Sequence, residues 1–417
     1  MRSLSMGLRG GWVCVLAALA CSNGGPRDMS VQPFPSMPAP GGSAQEMADP
    51  GDAPGDLQPS PSPTSGMEAQ DPQLPVAMGP TGTETPPGDG TPPGDGTPPG
   101  DMAPEGVERP AGTESVGFFV SGGRLYDHDG NDFVMRGINN PLAWFQNRTS
   151  GALAWLDQIA STGSNAVRLV WETDAGDPQL LRDAIDRCIA LRMVPMVELH
   201  DITGGKDVGD PAIMAEYYAA DPVKQILLDH EDTLLVNIAN EWDGADNIFV
   251  QAYTEAIDVL RSAGIRHTLV IDSNGYGQRA NTVLTQGQAL LDADPQHNLL
   301  FSVHMYELFR DAQTIRSTLQ RAVDQQLPLI VGEFGFQRAD APNPPIPVPY
   351  DVLLSESVRL GIGYLAWSWT GNSGGVEYLD LTARSGSAAE LSAWGDGVIN
   401  GPNGIRATAE PASIFLE

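Results

Sequence analysis

From Phe133 to Ala366 short apolar runs alternate with helical patterns, and this alternation restricts the fold more than any other feature of the chain. The runs are Phe133 to Arg136, Val167 to Val170, Val194 to Leu199, Thr233 to Ala239, Leu269 to Ile271, Leu299 to Val303, Leu329 to Val331 and Tyr364 to Ala366. Each is strand-sized and apolar on both faces, as strands buried in a parallel sheet are. Between them lie segments with helical spacing, such as Leu180, Ile185 and Ile189. Eight such units over about three hundred residues predict an α/β fold, a slightly enlarged (β/α)8 TIM barrel. Ahead of the first unit, Gly117-Phe118-Phe119-Val120 and Arg124-Leu125-Tyr126 flank Gly122-Gly123, and Asp129-Gly130 follows. This predicts a short N-terminal β-hairpin closing the barrel's base.

The remainder of the chain cannot join such a core. Residues 1–21 carry Arg2 and Arg9 before an apolar run from Trp12 to Ala20, too short to span a bilayer, and read as an export signal. The small residues before Cys21 resemble a bacterial lipoprotein cleavage box, although Ala18 stands where Leu is usual. Lipidation of Cys21 would anchor the protein at the cell surface or outer membrane without crossing the bilayer; cleavage after Ala18-Leu19-Ala20 and free secretion is the alternative. Residues 22–115 are rich in Pro, Gly, Ser, Thr and Asp, with repeats at Thr85, Thr91 and Thr97, and are expected to form a disordered acidic linker. Residues 116–417 are expected to form the ordered domain.

A formal net charge of −30, with Lys206 and Lys224 the only lysines, argues against nucleic acid as a partner and leaves a membrane only through the lipid. An uncharged polymer meets no such barrier. Cys14 and Cys21 fall in the export region, so Cys188, in a helical pattern, has no disulfide partner and reads as a buried apolar residue. No Cys/His cluster has zinc spacing; neither metal nor cofactor is expected. Asp127-His128-Asp129-Gly130-Asn131 lacks the closing Glu of a calcium loop and reads as a turn.

Chemistry concentrates where the strands end. Strand two contains Arg168; strand three ends on His200 and Asp201, strand four on Asn240-Glu241, strand six on His304-Met305-Tyr306-Glu307, strand seven on Gly332-Glu333 and strand eight on Trp367-Ser368-Trp369. Taken alone, Glu241 could cap the following helix. A ring of polar strand ends points instead to a site at the carboxyl face of the barrel. Glu241 and Glu333 then suggest the paired carboxylates of glycoside hydrolysis, with Arg168 placed to keep one of them ionised.

From about Gly117 to Phe415 the chain resembles glycoside hydrolase family 5, with the nearest likeness to bacterial endo-β-1,4-mannanases. The segments carrying the resemblance include Gly137-Ile138-Asn139, Glu198-Leu199-His200-Asp201, Asn237-Ile238-Ala239-Asn240-Glu241-Trp242, His304-Met305-Tyr306-Glu307, Gly332-Glu333-Phe334-Gly335 and Leu365-Ala366-Trp367-Ser368-Trp369. The resemblance implies that Glu241 is the acid/base and Glu333 the nucleophile of a retaining enzyme. It further implies that Asn240 contacts the sugar 2-hydroxyl, that Arg168 and Tyr306 orient Glu333, that His200 and His304 complete a polar floor, and that Trp367 lies under the sugar. Trp144, on the first loop, leans toward substrate contact, whereas Trp242 and Trp369 suit core packing as well as sugar stacking.

Departures from the mannanase pattern fall in the loops. Asn140-Pro141-Leu142-Ala143-Trp144 replaces a pair of histidines before Trp, Asp243 an aromatic and Tyr276 a Trp, and Phe336-Gln337-Arg338 precedes a proline-rich insertion. The expected partner is a β-mannan-type polysaccharide and the expected state a monomer. A retaining β-1,4-glucanase on the same machinery, and a non-catalytic surface glycan-binding protein, are the alternatives.

Overall fold

The computed structural model describes residues 106–142, 150–337, 345–373 and 375–416. The readings placed on Cys21, on linker residues up to 105 and on Trp144 lie outside the described residues.

Strands β1 (Phe119–Ser121) and β2 (Arg124–Tyr126) form the antiparallel hairpin. The barrel strands are β3 (Arg136–Asn140), β4 (Ala166–Trp171), β5 (Val194–Leu199), β6 (Leu235–Asn237), β7 (Leu269–Asp272), β8 (Leu299–Met305), β9 (Leu329–Phe334) and β10 (Gly363–Ala366). Between consecutive strands run α1 (Ser150–Ser161), α2 (Pro178–Ala190), α3 (Asp210–Ala219) with α4 (Val223–Asp229), α5 (Phe249–Ser262), α6 (Ala280–Ala293), α7 (Ala312–Asp324) and α8 (Tyr350–Leu360); α9 (Ala393–Asn400) and α10 (Ile405–Thr408) follow the last strand. Every barrel strand pairs in parallel with its neighbours, and β10 pairs with β3 to close the cylinder. Among the described residues no helix is long and apolar enough to cross a membrane.

Local chemistry accounts for these elements. Asp177 caps α2 by accepting from the Gln179 N–H, Pro178 supplies a preset first turn, and Leu181, Ala184, Ile185 and Cys188 form its buried stripe. Asp311 caps α7 in the same way, and Gly361 ends α8 at φ 66°. All six residues of β4 are buried, but on two sides. Val167, Leu169 and Trp171 pack in the layer under the helices, while Ala166 and Val170 face inward on either side of Arg168.

The barrel interior is therefore layered. At the amino end Ala166, Met196, Leu235, Val270, Leu300, Ile330 and Leu365 meet Phe118, Val120 and Leu125 of the hairpin, which plugs the cylinder as the sequence predicts. Residues 106–115, assigned to the linker by composition, also lie along this end. Thr113 donates to the Gln296 carbonyl at 2.8 Å, and the Val107 N–H to the Gly130 carbonyl at 2.9 Å. The final residues return there too: Asp127 accepts from the N–H and hydroxyl of Ser413, and Asn165 donates to the Glu410 carbonyl. The segment from Asp127 to Asn131 is a turn whose Asp127 carboxylate is occupied by these donors and by the N–H groups of Asp129 and Asn131.

One register irregularity matters above this plug. Val303 pairs with Val331, but His304 pairs with Glu333, leaving Gly332 as an extra residue in β9. A Cβ on Gly332 would stand 2.2 Å from the Ser302 hydroxyl, so any side chain at the bulge would have to turn that hydroxyl aside. Val331 faces the helices; the bulge turns Glu333 inward beside His304 instead of continuing the alternation.

Candidate active site

Arg168 is the hub of the upper barrel. Its side chain is fully buried, and all of its N–H groups have acceptors. Nε donates to Asn237 Oδ1 at 3.0 Å; Nη1 donates to Asn139 Oδ1 at 3.0 Å and Glu333 Oε1 at 2.8 Å; Nη2 donates to Asn240 Oδ1 at 2.8 Å and Asp272 Oδ2 at 3.3 Å. Burial works against its charge, but the carboxylates of Glu198, Asp272 and Glu333 outweigh it and raise its pKa further. The other oxygen of Glu333 accepts from the Tyr306 hydroxyl at 3.0 Å. Glu333 is thus held at both oxygens, from β4 and from the end of β8.

Glu241 is not a helix cap. Its backbone takes φ 47°, the left-handed region that non-glycine residues enter at a cost of about 1–3 kcal/mol. Two contacts hold it there: its N–H donates to Asp272 Oδ2 at 3.3 Å, and its carbonyl accepts from the Gly204 N–H at 3.0 Å. The carboxyl accepts from His304 Nδ1 at 2.7 Å, and that same nitrogen lies 3.6 Å from Glu333 Oε2. One oxygen of each glutamate and a ring nitrogen of His304 fall within 4.8 Å of one another. Burial, with the nearby Glu333 charge, raises the Glu241 pKa to about 7 against the opposing pull of His304. Burial disfavours the His304 cation, but Glu333 and Asp272 raise its pKa to about 10. A cation could use this spacing only by displacing the proton on Nδ1.

The remaining predicted residues surround this pair. His200 Nδ1 donates to Glu198 Oε1 at 2.9 Å, and its ring stacks on Trp367 with centroids 5.8 Å apart. Burial opposes the charged form of His200, but Glu198 prevails and raises its pKa. Asn240 donates to Thr203 Oγ1 at 2.9 Å while its oxygen serves Arg168, which fixes the orientation of the amide. Trp367 packs with Val170, Tyr306 and Leu379 and donates to Asn372 Oδ1 at 3.1 Å. Trp242 and Trp369 are fully buried in the layer beneath the helices and belong to the core.

Sequence reasoning missed Glu198, Asn237 and Asp272, all fully buried, and Thr203. Asp272 ends β7, so the rule used for the other strands applied to it as well. Asp201, the other polar residue ending strand three, is exposed and binds Thr173 outside the site.

Two carboxyl groups facing each other in a barrel mouth, one held at both oxygens and one raised to about pH 7, are equipped for general acid and nucleophilic work on an acetal. Fold and site together define a (β/α)8 glycoside hydrolase. The chain belongs to glycosyl hydrolase family 5: residues 126–373 match the family model described as Cellulase (glycosyl hydrolase family 5). It is 39% identical over 311 residues to a mannan endo-1,4-beta-mannosidase of Salipaludibacillus agaradhaerens, spanning 72% of this chain and 97% of that one. To a protein of the same name from Streptomyces lividans it is 37% identical, over 72% and 78% of the two chains. The mannohexaose complex of Thermomonospora fusca beta-mannanase superposes with a TM-score of 0.64 at 37% identity, covering 72% of this chain and 99% of that one.

Proposed function

We propose that the protein is an endo-β-1,4-mannanase that cleaves mannan, galactomannan or glucomannan backbones with retention of configuration. The observation that carries the mechanism is the approach of the Glu241 and Glu333 carboxyls to within 4.8 Å, near the separation of about 5–5.5 Å used for double displacement and well short of the roughly 6.5–9.5 Å that seats a nucleophilic water beside the sugar in inverting enzymes. Glu333, held by Arg168 and Tyr306, attacks the anomeric carbon as Glu241 gives its proton to the departing oxygen. Water then enters, Glu241 takes a proton from it, and the glycosyl ester is hydrolysed. Asn240, its amide fixed by Arg168 and Thr203, is placed to hold the sugar 2-hydroxyl, and Trp367 offers a ring face to the apolar side of the sugar. The choice of mannan rests on the mannanase relatives, including the one bound to mannohexaose.

Reducing-sugar release from galactomannan, carboxymethylcellulose and xylan tests the substrate. Activity on the first is expected; activity confined to a glucan would overturn the mannan assignment. Glu333→Ala and Glu241→Gln should each lower kcat by several orders of magnitude, and full activity in either variant removes it from the catalytic pair. We also propose that residues 1–21 direct export, with Cys21 as the lipid attachment. Metabolic labelling with palmitate is expected in the native chain and absent in Cys21→Ala.

A further inference from the structure

We propose that Asp272 is a positioning residue for both glutamates: it anchors His304 and Arg168 from within the barrel and keeps His304 as a cation standing between Glu241 and Glu333. This deepens the double-displacement reading and rests on it. Asp272 is fully buried at the end of β7, and a single oxygen, Oδ2, meets Arg168 Nη2 at 3.3 Å, His304 Nε2 at 3.4 Å and the Glu241 N–H at 3.3 Å. Its other oxygen accepts from Asn237 Nδ2 at 3.3 Å. The same carboxylate therefore lies behind the partner of each glutamate and also steadies the left-handed backbone of Glu241.

The ring's protonation follows from what faces it. A neutral imidazole carries one N–H and one lone pair. The Nδ1 edge of His304 faces the oxygens of Glu241, after β6, and Glu333, from β9, while Nε2 faces Asp272 from β7. Arg168, from β4, stands behind Asp272, and Tyr306, farther along His304's own strand end, is engaged with Glu333. The Nδ1 edge donates to Glu241, while Nε2 lies 3.4 Å from Asp272 Oδ2 as an ion pair and without hydrogen-bond alignment. With carboxylate oxygens facing both edges, a lone pair at either nitrogen would meet negative charge, so both nitrogens carry protons. Asp272 is itself kept ionised: burial opposes, but His304 and Arg168 lower its pKa to about 2.

Such a cation suits the reaction. In the first step the Glu333 oxygen bonds to the anomeric carbon as the glycosidic bond breaks, and the Glu241 proton goes to the leaving oxygen. One negative charge thereby moves from Glu333 to Glu241. In the second step water attacks, its proton returns to Glu241, and Glu333 leaves as carboxylate. The Nδ1–H, 2.7 Å from one glutamate and 3.6 Å from the other, can turn toward whichever is charged. Asp272 prevents the ring from surrendering that proton.

The test is nitrogen-15 NMR of the full-length protein with labelled histidine, where a His304→Gln variant identifies the resonance among six histidines. Both ring nitrogens of His304 are expected to show the imidazolium signature through about pH 8, whereas an unperturbed histidine is neutral above about 6.5. In Asp272→Asn the ring should titrate to neutral below about pH 8, and kcat should fall about tenfold or more with KM changed less than about threefold. A neutral His304 near pH 7 in the unsubstituted protein, or an unchanged titration in Asp272→Asn, would overturn the proposal. The first measurement decides even if the variant fails to fold. Neither spectrum requires turnover, so a wrong substrate assignment would leave His304 cationic while the polysaccharide assays fail.

Discussion

The guanidinium of Arg168 has no idle hydrogen, and that makes its chemistry intolerant of a lysine. Arg168→Lys preserves charge but cannot reach Asn237, Asn139, Glu333, Asn240 and Asp272 from one planar fork. We expect kcat/KM to drop by on the order of a hundredfold or more, measured on a soluble oligosaccharide. Glu241 sets a second expectation. In the proposed double displacement the first step uses its protonated form, and its pKa is raised by burial to about 7, so the acid is present below that value and lost as pH rises through it. The kcat/KM profile should descend above pH 7 with the loss of one proton, and a profile level to pH 9 would exclude Glu241 as the titrating acid. Glu241 and Glu333 were legible in the sequence because each breaks an apolar run at its end. Glu198 and Asn237 were not, because a polar residue within a strand reads as an outward position unless the strand's parity toward the barrel axis is known. Asp201 shows the reverse error, since the sequence cannot tell which of two consecutive polar residues turns into the mouth.

At the scale of elements, backbone proximity explains what the apolar pattern leaves open. A Cβ on Gly137, in β3, would stand 2.3 Å from the backbone carbonyl oxygen of Ala166, which is fixed within β4. Gly137→Ala should therefore push the two strands apart and lower the melting temperature, whereas the half-buried Gly264, with open space around its Cβ position, carries its own penalty only through φ 84°. The bulge at Gly332 was also hidden. Nothing in Leu329 to Phe334 announces that alternation fails there, although Asn139, donating to the Gly332 carbonyl at 3.0 Å, fastens the bulged backbone. The strands themselves were readable because their burial on both faces gives continuous apolar runs. A bulge leaves no such trace.

For the whole molecule, the layering separates stability from chemistry. The hairpin, the residues from 106 and the final turn all fasten the amino end, far along the barrel from the glutamates. Asp127→Ala removes the acceptor for two N–H groups and Ser413, and should cost about 1–3 kcal/mol of stability, seen in a denaturant titration, with kcat unchanged. A chain starting at residue 116 should melt below one starting at 106, because it loses the contacts of Thr113 with Gln296 and of Glu114 with Arg266. Composition placed the linker's end at 115, since Pro and Gly prevail almost to that point; packing, which composition does not record, extends the described structure back to 106. Because residues 106–115 and 410–416 both lie at the plugged end, the domain can be held from either terminus with its mouth unobstructed. A bead, a cell wall or another protein joined at either end would sit opposite the mouth that holds Glu241 and Glu333, leaving that face turned outward for the large polymer of the proposed reaction.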